Sequence, residues 1–216
     1  MITFSGLDGG GKSTQIALLA DYLVKSGRKP VHIWSRGGYT AILQGLKRLS
    51  RRLLHGRLPP AGASPQRSYA LSKRWVRRLW LSLALLELLW VYGVRIRWHR
   101  YRGRPVLCDR YLWDTALDFR LNFPQEKLDD YWLWRLLGRI APKPDAAFLL
   151  LLTVEESVRR SEMKGEPFPD PPEVLRQRLA CYQDLITRVP FQVLDGSQPI
   201  AALFSQILTH LKRFRV

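Results

Sequence analysis

Apolar and polar positions along the chain follow two spacings, one typical of buried strands and one typical of helices. Short apolar runs predict strands at Met1–Ser5, Pro30–Trp34, Pro105–Cys108, Asp145–Leu152 and Phe191–Asp195. Apolar residues at helical spacing predict helices at 15–25, 68–100, 113–121, 129–140, 154–163, 173–188 and 200–213. Strands that alternate with helices favour a parallel sheet with both faces covered. The pattern therefore predicts a three-layer α/β/α sandwich around five parallel strands, as a single domain over residues 1–216.

A glycine-rich segment follows the first strand and precedes the first helix. The run Gly6-Leu7-Asp8-Gly9-Gly10-Gly11-Lys12-Ser13-Thr14 fits the P-loop pattern of Gly, four free positions, then Gly-Lys-Ser. In such a loop the backbone N–H groups surround phosphate oxygens, the lysine reaches the β- and γ-phosphates, and the serine hydroxyl binds Mg²⁺. We therefore expect nucleotide contacts from Gly6, Gly9, Gly10, Gly11, Lys12, Ser13 and Thr14.

The charge balance indicates an anionic partner. The 216 residues carry a formal net charge of +17 and include eight tryptophans. Such a charge suits nucleotide phosphates, an anionic membrane surface or, less favoured, nucleic acid, although an arginine-rich composition alone can also produce it. With two cysteines and no secretory signal pattern, the sequence favours a cytoplasmic protein, peripheral at a membrane if the charge is used there.

Two helical stretches carry this charge. Residues 40–58 place leucines on one side and basic residues mostly on the other, as in an ordinary surface helix or one that lies on a membrane or on nucleic acid. Residues 68–100 contain a 16-residue apolar centre, Leu79–Val94, which includes Glu87. Because this centre is short for a membrane span, we expect a buried core helix, with a membrane-surface helix as the alternative. Apolar helices of this kind are also compatible with a homodimer.

Polar residues follow two further strands at the edge where ligands bind in open α/β sheets. Arg36 comes just after the second strand and is a candidate phosphate ligand of the acceptor. Asp109 and Arg110 follow the third strand, where Asp109 could hold Mg²⁺ and Arg110 could bind an acceptor phosphate. A solvated loop arginine and an Asp–Arg surface pair are the simpler interpretations of the same residues.

Taken in order, these motifs resemble the thymidylate kinase family of P-loop nucleotide kinases over most of the chain. Residues 4–15 resemble the opening signature of that family, and Asp109-Arg110-Tyr111 resembles its Asp-Arg-Tyr/Phe motif. Residues 159–182 resemble its basic lid and the helix that follows, and residues 194–198 resemble its strand end near the adenine.

The resemblance implies the P-loop NTPase fold, with ATP and Mg²⁺ as cofactors and a small-molecule acceptor. It also implies a lid at about 159–172, in which Arg159, Arg160 and Lys164 are the candidate cations. In this family the P-loop or the lid supplies an arginine for the transferring phosphoryl group. Since the P-loop position here is Gly9, the resemblance assigns that role to the lid, with Arg160 as the catalytic candidate. It further implies that Asp8 faces the acceptor.

The departures from the family lie on the acceptor side. The middle of the long helix, around Glu87, lacks the arginine that the family carries there, and Asp114 and Asp118 lie where the family has a small residue and an Ala-Tyr pair. These two carboxylates lie one helical turn apart and would suit acceptor hydroxyls better than a phosphate.

Three functions remain open at this point. The first is an ATP- and Mg²⁺-dependent kinase that acts on a nucleoside monophosphate such as dTMP. The second is a P-loop kinase that phosphorylates a hydroxyl of a sugar, a lipid-linked glycan or another acceptor at a membrane surface. The third is a non-catalytic ATP-binding module that associates with nucleic acid. The catalytic candidates are Asp8, Lys12, Asp109, Arg110 and Arg160. Intact Lys12, Ser13 and Asp109, together with the lid cations, argue against the third function.

Overall fold

The computed structural model describes residues 1–35, 72–165 and 169–213. Within these residues, five strands form one parallel sheet in the order β2-β3-β1-β4-β5. The strands are β1 (Ile2–Gly6), β2 (Val31–Trp34), β3 (Val106–Asp109), β4 (Ala146–Leu151) and β5 (Gln192–Asp195). The parallel sheet expected from the apolar runs is confirmed.

The helices that connect these strands lie close to their predicted positions. They are α1 (Lys12–Lys25), α2 (Arg74–Trp90), α3 (Ile96–Tyr101), α4 (Leu112–Asn122), α5 (Trp132–Ile140), α6 (Val154–Lys164), α7 (Pro172–Ile186) and α8 (Ile200–Arg213). A π-helical turn, Val91–Arg95, joins α2 to α3, and a 3₁₀ turn, Leu128–Asp130, precedes α5. Arg36, the basic stretch 40–58 and the start of the predicted helix at 68 lie outside the described residues.

Alternating strand residues build a separate core on each face of the sheet. Phe4 and Phe148 stack on each other on the face that α1 and α8 cover. Val106 and Cys108 face the opposite side, where α2, α3, α4 and α5 pack, and Leu149 joins α4, α6 and α7 on that side. This arrangement confirms the three-layer α/β/α sandwich and its P-loop NTPase character.

The long helical stretch from α2 to α3 is only partly the buried core helix that the apolar pattern predicted. One side, with Leu81, Leu85 and Leu88, is fully buried against the core. The opposite side exposes apolar residues at helical spacing, namely Leu79, Leu83, Leu86, Trp90, Val94 and Trp98. By length and composition, the 28 residues Arg74–Tyr101 form the one helix in the described ranges that could cross a membrane, with 44% of its most apolar window buried. A core helix that is buried on one side satisfies the same test.

Strand order determines which loops meet. β1 lies between β3 and β4, with Phe4 opposite Asp109 and Gly6 opposite Leu150. The glycine-rich segment after β1 therefore lies beside the end of β3 on one side and the end of β4 on the other. This carboxyl edge is where open α/β sheets bind ligands.

Candidate active site

The segment from Gly6 to Gly11 turns sharply between β1 and α1. Gly6 has a φ of 133°, and a Cβ there would lie 2.0 Å from the Leu150 carbonyl oxygen. Gly9 has a φ of 77°, which is also unfavourable for other residues. At these two positions glycine lets the backbone pass close to β4 and reverse direction at the start of α1, as a phosphate-binding loop requires.

Lys12 folds back over this loop from the first turn of α1. Its Nζ donates hydrogen bonds to the carbonyl oxygens of Gly6, at 3.0 Å, and Leu7, at 2.6 Å. The side chain is buried, and this burial, followed by the charge of Arg110, lowers the pKa of Lys12 to about 8. The loop therefore holds its lysine at the site where the motif requires a cation for phosphate.

Ser13, in the first turn of α1, meets Asp109 at the end of β3. The Ser13 hydroxyl donates to the Asp109 carboxylate at 3.4 Å. One hydroxyl and one carboxylate fit Mg²⁺, which usually takes one or two protein oxygens beside waters and substrate phosphates. Consistent with so sparse a ligand set, the described ranges contain no cluster of three or more His, Cys, Asp or Glu side chains that could hold a metal. Thr14 follows on the exposed side of α1.

The first helix of the predicted lid, α6, packs directly on the P-loop. The Ser157 hydroxyl donates to the carbonyl oxygen of Asp8 at 2.7 Å. Arg160 Nη1 donates to the carbonyl oxygens of Gly9, at 3.1 Å, and Gly196, at 2.9 Å. A Cβ at Gly9 would lie 3.0 Å from Arg160 Cβ and 3.3 Å from the Ser157 carbonyl oxygen. Position 9 thus has little room for a side chain, and α6 brings an arginine to the same place.

The other lid cations lie farther from the loop. The Arg159 side chain is 61% exposed and forms an ion pair with Glu156 at 2.7 Å. Lys164 is exposed at the C-terminal end of α6. Thr153 caps α6 by accepting a hydrogen bond from the Glu156 N–H at 3.3 Å. The Glu156 carboxylate binds Arg159 and Arg160, which aligns both guanidinium groups along the helix.

Arg110 reaches from the end of β3 to the other side of the P-loop. Its Nη2 donates to Asp8 Oδ1 at 2.5 Å, and Asp8 Oδ1 lies 4.0 Å from Lys12 Nζ. The guanidinium is buried, and its Nη1 has no hydrogen-bond partner among the residues that the structure describes. Burial alone would lower the pKa of Arg110, but nearby acidic groups, led by Asp8, outweigh it and raise the pKa. Asp8 therefore lies between two buried cations.

Asp114 and Asp118, predicted to face the acceptor, are both buried among internal partners. Asp114 accepts hydrogen bonds from the hydroxyls of Ser5 and Tyr182, each at 2.6 Å. Asp118 Oδ1 lies 2.5 Å from Arg178 Nη1, and Arg178 Nε donates to Asp170 at 2.7 Å. The roles of both aspartates toward an acceptor stay predictions, although the structure engages each carboxylate within the protein.

Sequence reasoning missed several residues that organise this site. Ser5 and Ser157 are small polar residues within apolar or charged runs, and nothing in the sequence pattern distinguishes them as functional. Arg178 and Tyr182 lie one helical turn apart on α7, and the placement of a charged residue on the apolar face of that helix could have identified them. Leu175, Arg178 and Tyr182 are its buried residues.

Comparison with known proteins shows similarity over nearly the whole chain. No protein-family model matches it. A thymidylate kinase from Bifidobacterium longum (strain NCC 2705) is 29% identical over 98% of this chain and 96% of its own length. A thymidylate kinase from Ruegeria pomeroyi is 29% identical over 99% of this chain and 97% of its own length. A thymidylate kinase from Desulfotalea psychrophila is 31% identical over 79% of this chain and 72% of its own length.

Proposed function

The chain belongs to the thymidylate kinase family of nucleotide kinases, and we propose that it transfers the γ-phosphoryl group of ATP to a nucleoside monophosphate such as dTMP. The observation that carries this proposal is the pair of buried cations around Asp8. Lys12 lies within the phosphate-binding loop, and Arg110 approaches the same carboxylate from the other side. Two cations at opposite sides of one loop suit two phosphate groups that must meet.

Lys12 and Arg160 are the residues we assign to the transferring phosphoryl group. Phosphoryl transfer depends on positioning and on stabilising the charge that the transferring group spreads over its oxygens. Lys12 approaches from the floor of the loop, and Arg160 approaches from α6 above Gly9. Arg159 and Lys164 are further lid cations that we place near the nucleotide when the lid closes.

Ser13 and Asp109 would hold Mg²⁺, and the glycines of the P-loop together with Thr14 would contact the nucleotide phosphates. When bound, Mg²⁺ would neutralise phosphate charge and align the donor. The contribution of the protein is the fixed geometry of the two oxygens, Ser13 Oγ at the start of α1 and Asp109 Oδ2 at the end of β3, which are 3.4 Å apart. Arg36, which lies outside the described residues, stays a proposed acceptor ligand.

Arg110 and Asp8 are the residues we assign to the acceptor. The unpaired Nη1 of Arg110 leaves a buried donor available for an acceptor phosphate oxygen. Asp8 binds Arg110 and can accept a hydrogen bond from an acceptor hydroxyl in the same place. The hydroxyl-acceptor hypothesis depended in part on Asp114 and Asp118 facing the acceptor. Because both carboxylates bind internal partners, the geometry favours a nucleoside monophosphate.

The test is ADP release, coupled to a second enzyme, measured with dTMP, other nucleoside monophosphates, thymidine and simple sugars. We expect turnover with at least one monophosphate, dTMP foremost, and none with the acceptors that lack phosphate. The Lys12→Ala protein, purified in the same way, controls for contaminating kinases. Turnover with a phosphate-free hydroxyl acceptor and with no monophosphate would contradict the proposal.

A further inference from the structure

We propose that Asp114 is a positioning residue that holds Arg110 in its working conformation and connects it to the P-loop strand and to α7. This inference rests on the proposed function, since it takes Arg110 as the acceptor-phosphate ligand. In this inference Asp114 acts through contacts inside the protein and does not itself contact the acceptor.

The Asp114 carboxylate joins three separate parts of the chain. Its Oδ2 accepts a hydrogen bond from Ser5 on β1, at 2.6 Å, and one from the backbone N–H of Tyr111, at 2.9 Å. Its Oδ1 accepts a hydrogen bond from Tyr182 on α7, at 2.6 Å. The side chain is completely buried. Ser5 directly precedes the first P-loop glycine, and Tyr111 directly follows Arg110, so the carboxylate links the two sides of the active site.

Arg110 needs such support because its backbone conformation is unusual. It has a φ of 70°, and it is the one non-glycine residue with a positive φ within the described ranges. This conformation costs about 1–3 kcal/mol and persists only where the surroundings enforce it. The N–H of Arg110 donates to the Phe4 carbonyl oxygen at 2.9 Å, and its own carbonyl oxygen accepts from the Ser35 hydroxyl at 3.2 Å. Asp114 holds the next N–H and so fixes the chain immediately after Arg110.

A carboxylate is the side chain of this size that suits these donors. Ser5, Tyr111 and Tyr182 all offer a hydrogen to the same group, and a carboxylate provides only acceptors. Asparagine would place an NH₂ group against one of these donors and leave it unsatisfied in the interior, which is costly. Burial, followed by the Asp114 charge, raises the pKa of Tyr182 well above its ordinary value, so that hydroxyl keeps its proton.

A second contact runs beside the first between the same two helices. Arg178 precedes Tyr182 by one turn on α7, and Asp118 follows Asp114 by one turn on α4. The pairs Tyr182–Asp114 and Arg178–Asp118 therefore fix α7 against α4 at two successive turns. Arg178 also binds Asp170, just before α7, so the end of the predicted lid is connected through Arg178 to α4, the helix that begins beside Arg110.

The first experiment measures binding of the acceptor and of ATP separately in Asp114→Asn. We expect the dissociation constant of the monophosphate acceptor to rise at least about tenfold, the usual worth of a hydrogen bond to a charged group, with that of ATP within about twofold of wild type. In an Arg110→Ala background the same change should add less than about twofold, because the group that it positions is gone. Equal loss of acceptor and ATP affinity, or fully additive effects, would overturn the proposal.

Controls separate positioning from general stability. Asp184→Asn removes an exposed carboxylate of α7 that pairs with Arg188 and should change neither affinity. Tyr182→Phe removes one donor but keeps the Tyr111 contact, and should lower the melting temperature while acceptor affinity stays within about threefold. Should Asp114→Asn not fold, Asp114→Glu keeps the charge but displaces the carboxylate, and the same selective loss of acceptor affinity is expected.

The second experiment needs no substrate and tests the inference if no monophosphate is turned over. A crystal structure of substrate-free Asp114→Asn should show Arg110 without its positive φ or without its hydrogen bond to Asp8. An Arg110 unchanged in both respects would overturn the positioning role. Failure of the proposed function gives a different result from failure of this inference: the wild-type protein would turn over no monophosphate.

Discussion

The proposed donor side and the proposed acceptor side of the candidate active site are built in different ways. On the donor side, the loop and its lysine and serine come from one continuous stretch, residues 6–14, and the loop is reinforced by α6. On the proposed acceptor side, the cluster of Asp8, Arg110, Asp114, Arg178 and Tyr182 comes from three separate regions of the chain. Sequence motifs also indicated Asp8 and Arg110, but spacing alone could not show the buried contacts that Asp114, Arg178 and Tyr182 make. The predictions below test this difference, from the largest expected effect to the smallest.

Lys12→Ala should greatly slow phosphoryl transfer from ATP, which we assign to the donor side. Removing a preorganised charge from a transferring phosphoryl group is expected to lower kcat by about 10²- to 10³-fold or more. The measurement is steady-state ADP release with saturating acceptor. Lys25→Ala, at the opposite and exposed end of α1, is the matched control and should retain wild-type kcat. A Lys12→Ala enzyme within tenfold of wild type would remove the lysine from the mechanism.

Asp118→Asn should mainly destabilise the acceptor side. The Asp118–Arg178 pair is almost completely buried, and removing one partner of a buried pair costs about 3–5 kcal/mol. The free energy of unfolding from urea titration measures the loss. Asp184→Asn breaks an exposed pair with Arg188, whose side chains are 58% and 70% exposed, and should cost at most about 1 kcal/mol. Similar losses in both variants would show that the buried pair is not a structural support.

Arg160→Ala tests how far the donor side depends on the lid helix. Because Arg160 reaches the P-loop backbone at Gly9, we expect kcat to fall by about 10²-fold while the ATP dissociation constant changes much less. Arg176→Ala, which removes an exposed arginine paired with Glu173, is the control. Equal loss of turnover and of ATP binding would show that Arg160 of the lid does not act in the transfer step.

Gly9→Ala tests the close packing of the P-loop against α6. The positive φ and the 3.0 Å approach of a Cβ to Arg160 Cβ predict a loss of about 1–2 kcal/mol in the free energy of unfolding. Gly138→Ala is the contrasting substitution, since its helical position has no atom within 4 Å of a Cβ, and it should be neutral or stabilising by up to about 1 kcal/mol. A Gly9→Ala protein as stable as Gly138→Ala would contradict the geometry.

The smallest expected effect is the pH dependence of stability that Lys12 causes, at most about 1.4 kcal/mol per pH unit. Its pKa is lowered to about 8 in the folded protein from the ordinary 10.5, so between these values the unfolded chain binds more protons. Stability should therefore rise with pH across this window, and this contribution should be absent in Lys12→Met. Bound ATP would favour the charged lysine, so calorimetry near pH 8.5 in two buffers should show proton uptake on binding. If no protons are taken up, the bound phosphates do not interact with the Lys12 ammonium group.

Much of the fold follows from local pattern. Each strand is a short, mostly apolar run between polar turns, and the three central strands β3, β1 and β4 are buried on both faces, so the five strands and the parallel sheet could be predicted. The long helix was predicted less well, because apolar composition does not show which side a core covers. Leu81 and Leu85 are buried while Leu83 and Leu86, in the same run, are exposed.

The sequence by itself predicted the P-loop of the proposed donor side, since its glycines, lysine and serine act through the backbone geometry of nine consecutive residues, Gly6 to Thr14. Only the tertiary structure showed where the carboxylates of Asp114 and Asp118 lie. Two aspartates one turn apart can face a ligand or the interior, and which occurs depends on the helix that packs against them. Here α7 supplies Tyr182 and Arg178, whose hydrogen bonds and charge make burial of Asp114 and Asp118 favourable.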